Sequence, residues 1–423
     1  MLVALLIFIG LLLLKVPIAF VLGITTIVYI IFSGDMGLMA TAPQRLYSGL
    51  ENYGLLAIPL FMLAGELMNS GGITKRLVAF SKTLVGHFKG GLAYVNVLAN
   101  MLLASIIGSA TAQIAMMSRT MVPAMEKEGY SREFSAATTA SAGLLGPIIP
   151  PSMLFIIYGV SSGASIGDMF LAGVFPGIIF TLSFIILIGW LGRRNDWPTE
   201  KRSSAKDIFK SFLKVIPAIA VPIIIILGII TGAFTPTESA AIACLVALFV
   251  GFFIYRELKI TEIPKILINT VVTTAIITML ISMANLFGWM LSFEMIPQTI
   301  ANWMVTLTES PLLFLLVVNI FLLIVGMFLD GIAALIILVP IFTPLIANYG
   351  IDPIHFGVII SVNLTLGLLT PPIGSGLYIA SSLGEVRLES LVKSLVPFLV
   401  VAFIVLLIIT YVPAITLWLP ANL

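Results

Sequence analysis

Residues 143–151 have the sequence Gly-Leu-Leu-Gly-Pro-Ile-Ile-Pro-Pro, and residues 367–374 have the related sequence Gly-Leu-Leu-Thr-Pro-Pro-Ile-Gly. Each copy lies inside a long apolar stretch, where glycines and prolines together stop an α-helix and leave backbone carbonyls without partners. A bilayer tolerates such a break only where the freed groups line a cavity or meet an ion. A matched pair of broken apolar segments, one in each half, indicates the binding site of a secondary transporter.

The composition is that of a membrane protein. Of 423 residues, 60% are hydrophobic and only 9% are charged, and the mean hydropathy is +1.18. A soluble protein of this size needs more surface charge, so we predict an all-α polytopic membrane protein. The single cysteine, Cys244, excludes an intrachain disulfide, and two histidines are too few for a histidine-based metal or catalytic cluster. The net charge of +2 gives no indication of a nucleic-acid partner.

The N-terminal stretch is expected to remain in the membrane. Residues 2–32 have no basic region ahead of their apolar run and no convincing cleavage site, which favours a retained first spanning helix over a signal peptide. Lys15 and Pro17 interrupt this helix and predict a bend there. Residues 33–54 are mixed and turn-rich, whereas 73–88 combine basic and apolar residues at helical spacing, which suits a helix along the membrane surface.

The two halves of the chain repeat one layout. In each, an apolar run with a polar tip is followed by a broken apolar segment. The first run consists either of two full spans or of a re-entrant hairpin whose tip lies at mid-membrane. The matching order indicates an internal repeat. The predicted parts are N-terminal scaffold helices and an interfacial arm helix (1–90), a first transport-domain repeat (91–192, with hairpin 91–127 and broken helix 131–161), a basic linker with scaffold helices and a second arm (193–310), and a second transport-domain repeat with the last span (311–423, with hairpin 311–347, broken helix 354–382 and span 394–419).

The distribution of Lys and Arg predicts that the repeats are inverted. If the basic segment 193–214 is cytoplasmic, counting spans places 72–90, 126–133, 255–265 and 384–393 on the same side, and each of these segments contains at least two Lys or Arg residues. The segments assigned to the opposite side, 294–310 and 348–353, contain no Lys or Arg. This assignment is consistent only if 91–127 and 311–347 are re-entrant hairpins that enter from opposite faces.

The tips and breaks have the chemistry of ion sites. Half-helix N-termini attract anions, and exposed carbonyls at C-terminal ends suit a hard cation such as sodium. Glycine lets the carbonyls converge, and proline enforces the break. The alternative is a purely structural role, in which such breaks are kinks packed on neighbouring helices and bind no ion. The predicted sodium-binding residues are Ser105, Gly108, Ser109, Gly146, Ile149 and Pro151 in the first half, and Gly326, Asp330, Gly331, Thr370 and Gly374 in the second.

Asp330 is the most unusual of these residues, because twenty uncharged residues flank it on each side. An unpaired carboxylate at the bilayer centre costs roughly 2.5–3.5 kcal/mol on insertion scales, and a cation is the simplest compensation. The alternative is that Asp330 caps the N-terminus of a half-helix.

Substrate contacts are predicted around the first tip and both breaks. Arg119 can meet a substrate carboxylate, although a neighbouring acid could neutralise it or it could extend to the membrane surface. The predicted substrate-binding residues are Thr111, Gln113, Arg119, Ser152, Pro371 and Pro372.

Several short motifs together resemble one transporter family along essentially the whole chain. They are the tip Gly-Ser-Ala-Thr-Ala (108–112), Glu-Gly-Tyr (128–130), Gly-Pro-Ile-Ile-Pro-Pro-Ser (146–152), Thr-Pro-Pro-Ile-Gly (370–374), Phe-Met-Leu-Ala-Gly-Glu (61–66), and Phe-Leu-Ala-Gly (170–173) with Pro176-Gly177. With the basic linker, they resemble the large membrane subunit of tripartite ATP-independent periplasmic (TRAP) transporters.

The resemblance implies a multi-pass protein of the bacterial inner membrane that imports an organic anion by a sodium-driven elevator mechanism. The substrate would be a carboxylate such as a C4-dicarboxylate or sialic acid, sodium would be the coupling ion, and no other cofactor is implied. A separate small four-helix membrane subunit and a periplasmic substrate-binding protein would be its partners. Many dicarboxylate-type relatives have an acidic residue shortly after the first tip, where this chain has Ala112-Gln113, so the substrate stays open.

Other functions fit the sequence less well. A membrane-embedded enzyme should carry clustered acidic, histidine or lysine residues on large loops at one face, and the long basic loop 193–214 has no such cluster. A channel should have a span with a repeated polar face, and no span in this sequence shows one. We therefore predict a transporter subunit rather than an enzyme, with a self-sufficient sodium/dicarboxylate symporter built from similar hairpins as the alternative.

Overall fold

The computed structural model describes residues 2–34, 36–195, 197–199 and 201–423. These residues form α-helices joined by short turns, without a β-strand among them. The helices of the first half are α1 (Leu2–Leu13), α2 (Ile18–Ser33), α3 (Gly37–Ser48), α4 (Ala57–Ser70), α5 (Ile73–Val85), α6 (Gly91–Ile107), α7 (Ala110–Lys127), α8 (Arg132–Gly143), α9 (Met153–Ser162) and α10 (Ile166–Arg194). Those of the second half are α11 (Ala205–Ile230), α12 (Pro236–Phe249), α13 (Ile263–Phe293), α14 (Ile296–Leu307), α15 (Pro311–Phe328), α16 (Gly331–Asn348), α17 (Pro353–Gly367), α18 (Ser375–Gly384), α19 (Leu388–Tyr411) and α20 (Ala414–Asn422).

Both hairpins and both breaks predicted from the sequence are present. The helices α6 and α7 form the first hairpin around Gly108 and Ser109, and α15 and α16 form the second around Leu329 and Asp330. The helices α8 and α9 are the two parts of the first broken helix, and α17 and α18 are those of the second. Eight helical segments are long and apolar enough to cross a bilayer within the described ranges. The prediction of an all-α multi-pass membrane fold is confirmed.

Three local predictions were wrong. The stretch 2–32 forms two helices, α1 and α2, rather than one bent helix, because Lys15 takes a left-handed backbone conformation (φ 59°) and Pro17 follows it. The turn-rich region 33–54 contains the helix α3, which accommodates Pro43. The final span ends at Tyr411 rather than 419, where Pro413 separates α19 from the short helix α20.

The helices pack into two groups. In the first, α2, α3 and α4 pack on α13, α4 also packs on α12, and α11 packs on α12 and α5. In the second, the hairpins and broken helices pack on one another and on α10, α19 and α20. The helix α5 joins the groups, since it packs on both α6 and α11. The hairpins and broken helices, whose tips and breaks form the candidate site, thus belong to a group of helices that is mostly separate from the first group.

The two broken helices run in opposite directions. The Arg132 guanidinium, at the start of α8, donates to the Gly384 carbonyl at 2.8 Å, at the end of α18. At the other end, the Tyr158 hydroxyl of α9 donates to the Pro353 carbonyl at 2.6 Å, at the start of α17. Each broken helix thus begins where the other ends. This is the geometry of inverted repeats.

The repeats also exchange contacts. The second arm of each hairpin packs on the second part of the other repeat's broken helix, α7 on α18 and α16 on α9. The first parts of the broken helices lie at the centre: α8 is buried from Ser135 to Gly143, and α17 from His355 to Gly367. The small residues of α8 allow this close packing, as is common between helices in membranes.

Candidate functional site

The two hairpin tips meet at one small cavity of about 60 Å³. It is lined by Gly108, Ser109, Ala110, Thr111 and Pro147, Met153, Leu154 from the first half, and by Asp330, Gly331, Ile332 and Leu368 from the second. Since α7 and α16 both start here, two helix N-termini with their partial positive charges border the same space. The cavity is therefore built from both repeats.

The first tip packs directly on the first break. Gly108 has a left-handed conformation (φ 63°), and a Cβ at this position would lie 3.0 Å from the Pro151 carbonyl oxygen. The Met153 N–H donates to the Gly108 carbonyl at 3.4 Å. A Cβ on Gly146 would lie 3.0 Å from the Ser109 carbonyl oxygen. Glycine is thus required at both positions for backbone to approach backbone.

Several carbonyl groups in this first break are free. Within the part of the chain that the structure describes, the carbonyls of Gly146, Ile149 and Pro151 accept no hydrogen bond. The Ser152 hydroxyl caps α9, accepting from the Phe155 N–H at 3.4 Å, and donates to the Pro147 carbonyl. Free carbonyls beside a glycine tip give the first break the donor type that a hard cation prefers.

The second break is closed more fully by its own hydrogen bonds. Gly326 touches the start of this break, because its Cβ would lie 3.1 Å from the Gly367 Cα. The Gly374 N–H donates to the Thr370 carbonyl at 3.3 Å, and the Thr370 hydroxyl donates to the Leu366 carbonyl at 2.9 Å. The Asp330 carboxylate accepts from the Ile332 N–H at 3.1 Å and is exposed to the cavity. Asp330 therefore caps α16 and lines the cavity at once.

A larger cavity of about 750 Å³ adjoins the first tip and lies between the two helix groups. Ser109, Thr111, Ala112 and Arg119 line it from the hairpin, and Glu66 and Asn69 line it from α4. Its volume is within the roughly 300–1,000 Å³ of small-molecule sites. Arg119 is exposed and forms no ion pair or hydrogen bond within the described residues, so its guanidinium is available to an anion.

Two series of hydrogen bonds between buried side-chain amides connect the hairpins to the broken helices. They were not predicted from the sequence. In the first repeat, Asn96 donates to the Thr139 hydroxyl at 2.7 Å, Asn100 donates to the Asn96 side chain at 2.8 Å, and Gln113 donates to the Asn100 side chain at 2.8 Å. In the second, Asn363 donates to the Asn319 side chain at 2.6 Å, and Asn319 donates to the Thr410 hydroxyl at 3.1 Å. The signal available in the sequence was two asparagines four residues apart in an apolar helix.

Gln113 is the last residue in the first of these hydrogen-bonded series, and its side chain lies at the first break. Its Oε1 atom is buried without a hydrogen-bond partner among the described residues, and a Cβ on Gly146 would lie 2.8 Å from it. An unpaired buried amide oxygen is costly unless a cation or water meets it. Gln113 thus adds one more oxygen beside the Ser109 carbonyl.

The structure brings some of the predicted residues together and separates others. Gly108, Ser109, Asp330 and Gly331 share the small cavity, and Gly146 and Pro151 contact its first tip. Ser105 instead donates to the Leu102 carbonyl at 2.9 Å, and the Ile149 side chain packs on the core. Of the predicted substrate contacts, Thr111 and Arg119 border the larger cavity, whereas Gln113, Ser152, Pro371 and Pro372 do not. No cluster of three His, Cys, Asp or Glu side chains suitable for a metal occurs in the described ranges.

Comparisons with known proteins agree on one family. The family profile of the tripartite ATP-independent periplasmic transporter, DctM component, matches residues 5–415. The chain is 38% identical over 411 residues to the sialic acid TRAP transporter large permease protein SiaM of Vibrio cholerae, covering 97% of this chain and 96% of that protein. It is 40% identical over 376 residues to the C4-dicarboxylate TRAP transporter large permease protein DctM of Pseudomonas aeruginosa, covering 89% and 88%.

Two solved transporter structures have the same fold. The Alcanivorax borkumensis YdaH transporter superposes with a TM-score of 0.63 at 14% identity, covering 92% of this chain and 90% of that one. Neisseria gonorrhoeae MtrF, described as illuminating a class of antimetabolite efflux pumps, superposes with a TM-score of 0.61 at 13% identity, covering 92% and 85%. At this identity the similarity concerns the fold alone.

Proposed function

We propose that this chain, which belongs to the DctM component family of tripartite ATP-independent periplasmic (TRAP) transporters, couples the import of an organic anion to sodium ions. As the large permease subunit of such a transporter, it is a multi-pass protein of the inner membrane that serves organic acid transport. Sodium coupling, the elevator movement and the substrate contacts are the parts we propose.

The meeting of both hairpin tips at one cavity carries the proposal. Free carbonyls in the first break, the Gln113 amide oxygen and the Asp330 carboxylate surround or adjoin that space. Hard cations bind oxygen donors of this kind, and discontinuous membrane helices supply them in sodium-coupled transporters. We assign one sodium ion to the first tip and break, and a second to the Gly326, Asp330 and Thr370 region.

The larger cavity is the proposed substrate site. Arg119 supplies a cation for a carboxylate, and Ser109 and Thr111 supply hydroxyl groups. The relatives named above for sialic acid and for C4-dicarboxylates are both transporters of carboxylates. We therefore propose a carboxylate as the substrate of this chain.

The position of this cavity supports an elevator movement. It lies between the group that contains α4 and α13 and the group that contains the hairpins. From the tip it extends along α7 to Arg119, towards the end of the molecule where the basic loops lie. A carrier whose hairpin group slides against α4 and α13 would move the substrate between the two faces of the membrane.

Uptake by the reconstituted complex tests the proposal. The chain, a separate small membrane subunit and a periplasmic binding protein are placed in liposomes, and radiolabelled carboxylate uptake is measured with and without an inward sodium gradient. We expect uptake only with the gradient and all three components. Robust uptake by the chain alone would favour the self-sufficient symporter, and uptake independent of sodium would contradict the coupling.

Arg119 is tested in the same assay. Arg119→Gln should raise the KM for the carboxylate about tenfold or more, since a hydrogen bond to a charged group contributes about 1.5–3 kcal/mol. Lys127→Gln, which removes an exposed charge from the same helix outside the cavity, is the matched control and should leave the KM unchanged. Equal effects of the two substitutions would exclude a specific role for Arg119.

A further inference from the structure

A second cavity, remote from the hairpin tips, lies where three helices reach the basic end of the molecule. It has a volume of about 490 Å³ and is lined by side chains from the arm helix α5, the start of α11 and the segment that follows α12. We call it the basic recess and define it by Lys75, Arg76, Ser211, Lys214, Tyr255 and Glu257. Three of these side chains are cationic and one is anionic, which leaves a net charge of +2 in the recess.

One wall of the recess is rigidly built. The Arg76 guanidinium forms an ion pair with Glu257 at 2.8 Å and donates to the Gly72 carbonyl at 2.8 Å. It also lies 3.8 Å from the centre of the Tyr255 ring, a cation–π contact. The Tyr255 hydroxyl in turn donates to the Lys214 carbonyl at 2.8 Å. The three helical segments are thus held together around the opening.

The two lysines of the recess are not used by this framework. Neither the Lys75 nor the Lys214 ammonium has a hydrogen-bond or ion-pair partner within the described residues, and both are exposed. Two such ammonium groups beside a fixed guanidinium repel one another unless an anion joins them. Both ammonium groups are therefore available to an anion from outside the chain.

The surroundings of the recess are those of the membrane surface. The helix α11 and the segment that ends at Ile254 belong to candidate spans, so the recess lies where spans begin or end. Leu213 and Ile254 in its lining are exposed, as is Phe209 one turn earlier on α11, and Lys206, Lys210 and Lys214 follow one another at four-residue spacing on the same helix. Exposed apolar side chains beneath lysines match acyl chains beneath a charged headgroup.

We propose that the basic recess binds the phosphate of an anionic phospholipid headgroup. Lys75 and Lys214 contact the phosphate, Arg76 and Tyr255 form the fixed wall, and the exposed apolar residues contact the acyl chains. Basic pockets between spanning helices on the cytoplasmic side are established places for anionic headgroups. A lipid held here would join α5 to α11, and α5 also packs on the first hairpin.

Lipid-dependent thermal stability tests this assignment in the full-length chain purified in detergent. Added phosphatidylglycerol should raise the Tm, whereas phosphatidylcholine and inorganic phosphate should not. The Lys75→Gln/Lys214→Gln variant should lose the increase, with affinity for phosphatidylglycerol on the order of thirtyfold lower, the equivalent of about 2 kcal/mol for two lysines near an anionic surface. The matched control, Lys259→Gln/Lys265→Gln, removes the same charge from the same end outside the recess and should keep the increase.

Each other outcome overturns the proposal. An equal Tm increase in the double variant would place the lipid elsewhere, and stabilisation by inorganic phosphate alone would make the recess a site for free anions. If phosphatidylglycerol does not raise the Tm of the wild type, the recess does not bind this lipid, and an acidic partner protein would be the occupant to test next. If the double variant does not fold, Lys214→Gln alone should still lower the number of phosphatidylglycerol molecules retained in native mass spectrometry.

Discussion

Asp330 is the residue at which local structure and the proposed site coincide, because its carboxylate accepts from the Ile332 N–H at 3.1 Å and also faces the cavity between the tips. The sequence left a capping role and a cation-binding role open, and the geometry is compatible with both. The two roles differ in what they require: a cap needs an acceptor oxygen, whereas a cation needs the negative charge.

Asp330→Asn separates the two roles, because Asn and Asp are about equally good N-caps. We expect the variant to fold with a Tm close to that of the wild type. The sodium concentration for half-maximal uptake should rise about tenfold, or 1.4 kcal/mol. This is well below the roughly 4 kcal/mol between unit charges 4 Å apart at an effective dielectric constant of 20. Uptake by reconstituted complexes measured against sodium concentration gives the result.

Asp352→Asn is the control for this change. Asp352 caps α17 in the same way, accepting from the Ile354 N–H at 2.8 Å, but borders neither cavity. Its substitution should leave the sodium dependence unchanged. If well-folded Asp330→Asn also keeps the wild-type sodium curve, Asp330 is only a cap.

Side-chain directions were the part of the site that the sequence could not predict. Gln113 follows the first tip by four residues and was predicted to contact substrate, yet its amide donates to Asn100 and its oxygen faces Gly146. The helix α7 exposes one side to the larger cavity and packs the other on α8 and α18. A polar residue on such a helix can face either side, and the packing of α8 and α18 on α7 decides which.

At the scale of elements, the positions of the breaks within helices were predicted from the sequence more accurately than the ends of the spanning helices. Gly and Pro are local signals, so the hairpin tips and the breaks before α9 and α18 were placed correctly. The interruption at Lys15 and Pro17 was predicted only as a bend rather than as the separation of α1 from α2, and the separation of α19 from α20 was missed, because long apolar runs flank both turns. The exchange of contacts between the repeats, α7 on α18 and α16 on α9, could not be predicted from either half alone.

The contact between the second hairpin and its broken helix depends on Gly326. A Cβ there would lie 3.1 Å from the Gly367 Cα and the Leu364 carbonyl oxygen, both backbone atoms that cannot rotate away. Gly326→Ala should therefore lower the free energy of unfolding by about 1–3 kcal/mol, the usual cost of overpacking. Thermal unfolding in detergent would show a lower Tm.

Gly331→Ala makes the same chemical change in the same hairpin. Its Cβ would lie 3.7 Å from the Leu154 side chain, an ordinary van der Waals contact, so the Tm should stay near that of the wild type. A loss of stability in Gly331→Ala as large as in Gly326→Ala would show that the hairpin tolerates no added methyl group. The close glycine contact would then have no special role.

At the scale of the whole molecule, the loops that are rich in Lys and Arg gather at one end. Lys82 pairs with Glu128 at 3.4 Å, Arg132 pairs with Glu385 at 2.8 Å, and Arg76 pairs with Glu257 at 2.8 Å. These contacts connect the segments 72–90, 126–133, 255–265 and 384–393, which the distribution of charge had assigned to a common side. Exposed pairs of this kind contribute little stability, but they show that the loops are neighbours.

The opposite end has few basic groups and is joined by neutral contacts. The Tyr349 hydroxyl donates to the Thr308 carbonyl at 3.0 Å, and His355 contacts the Thr416 hydroxyl at 2.8 Å. Because basic loops are retained in the cytoplasm, the end with Arg76, Arg132 and the basic recess should be cytoplasmic. The end with Tyr349 should then be periplasmic.

Two equivalent positions of the repeats test this orientation and the inversion together. Lys127 is the last residue of α7 and Asn348 is the last residue of α16, and both are exposed. Single cysteines at these positions, in a Cys244→Ser background, should react with a membrane-impermeant maleimide from opposite sides. We expect Lys127→Cys to be labelled in inside-out vesicles and Asn348→Cys in right-side-out vesicles. Labelling of both from one side would contradict the inversion, because two hairpins that enter from one face cannot belong to inverted repeats. Labelling from opposite sides in the reverse sense would leave the inversion intact and would place the basic recess at the periplasmic surface.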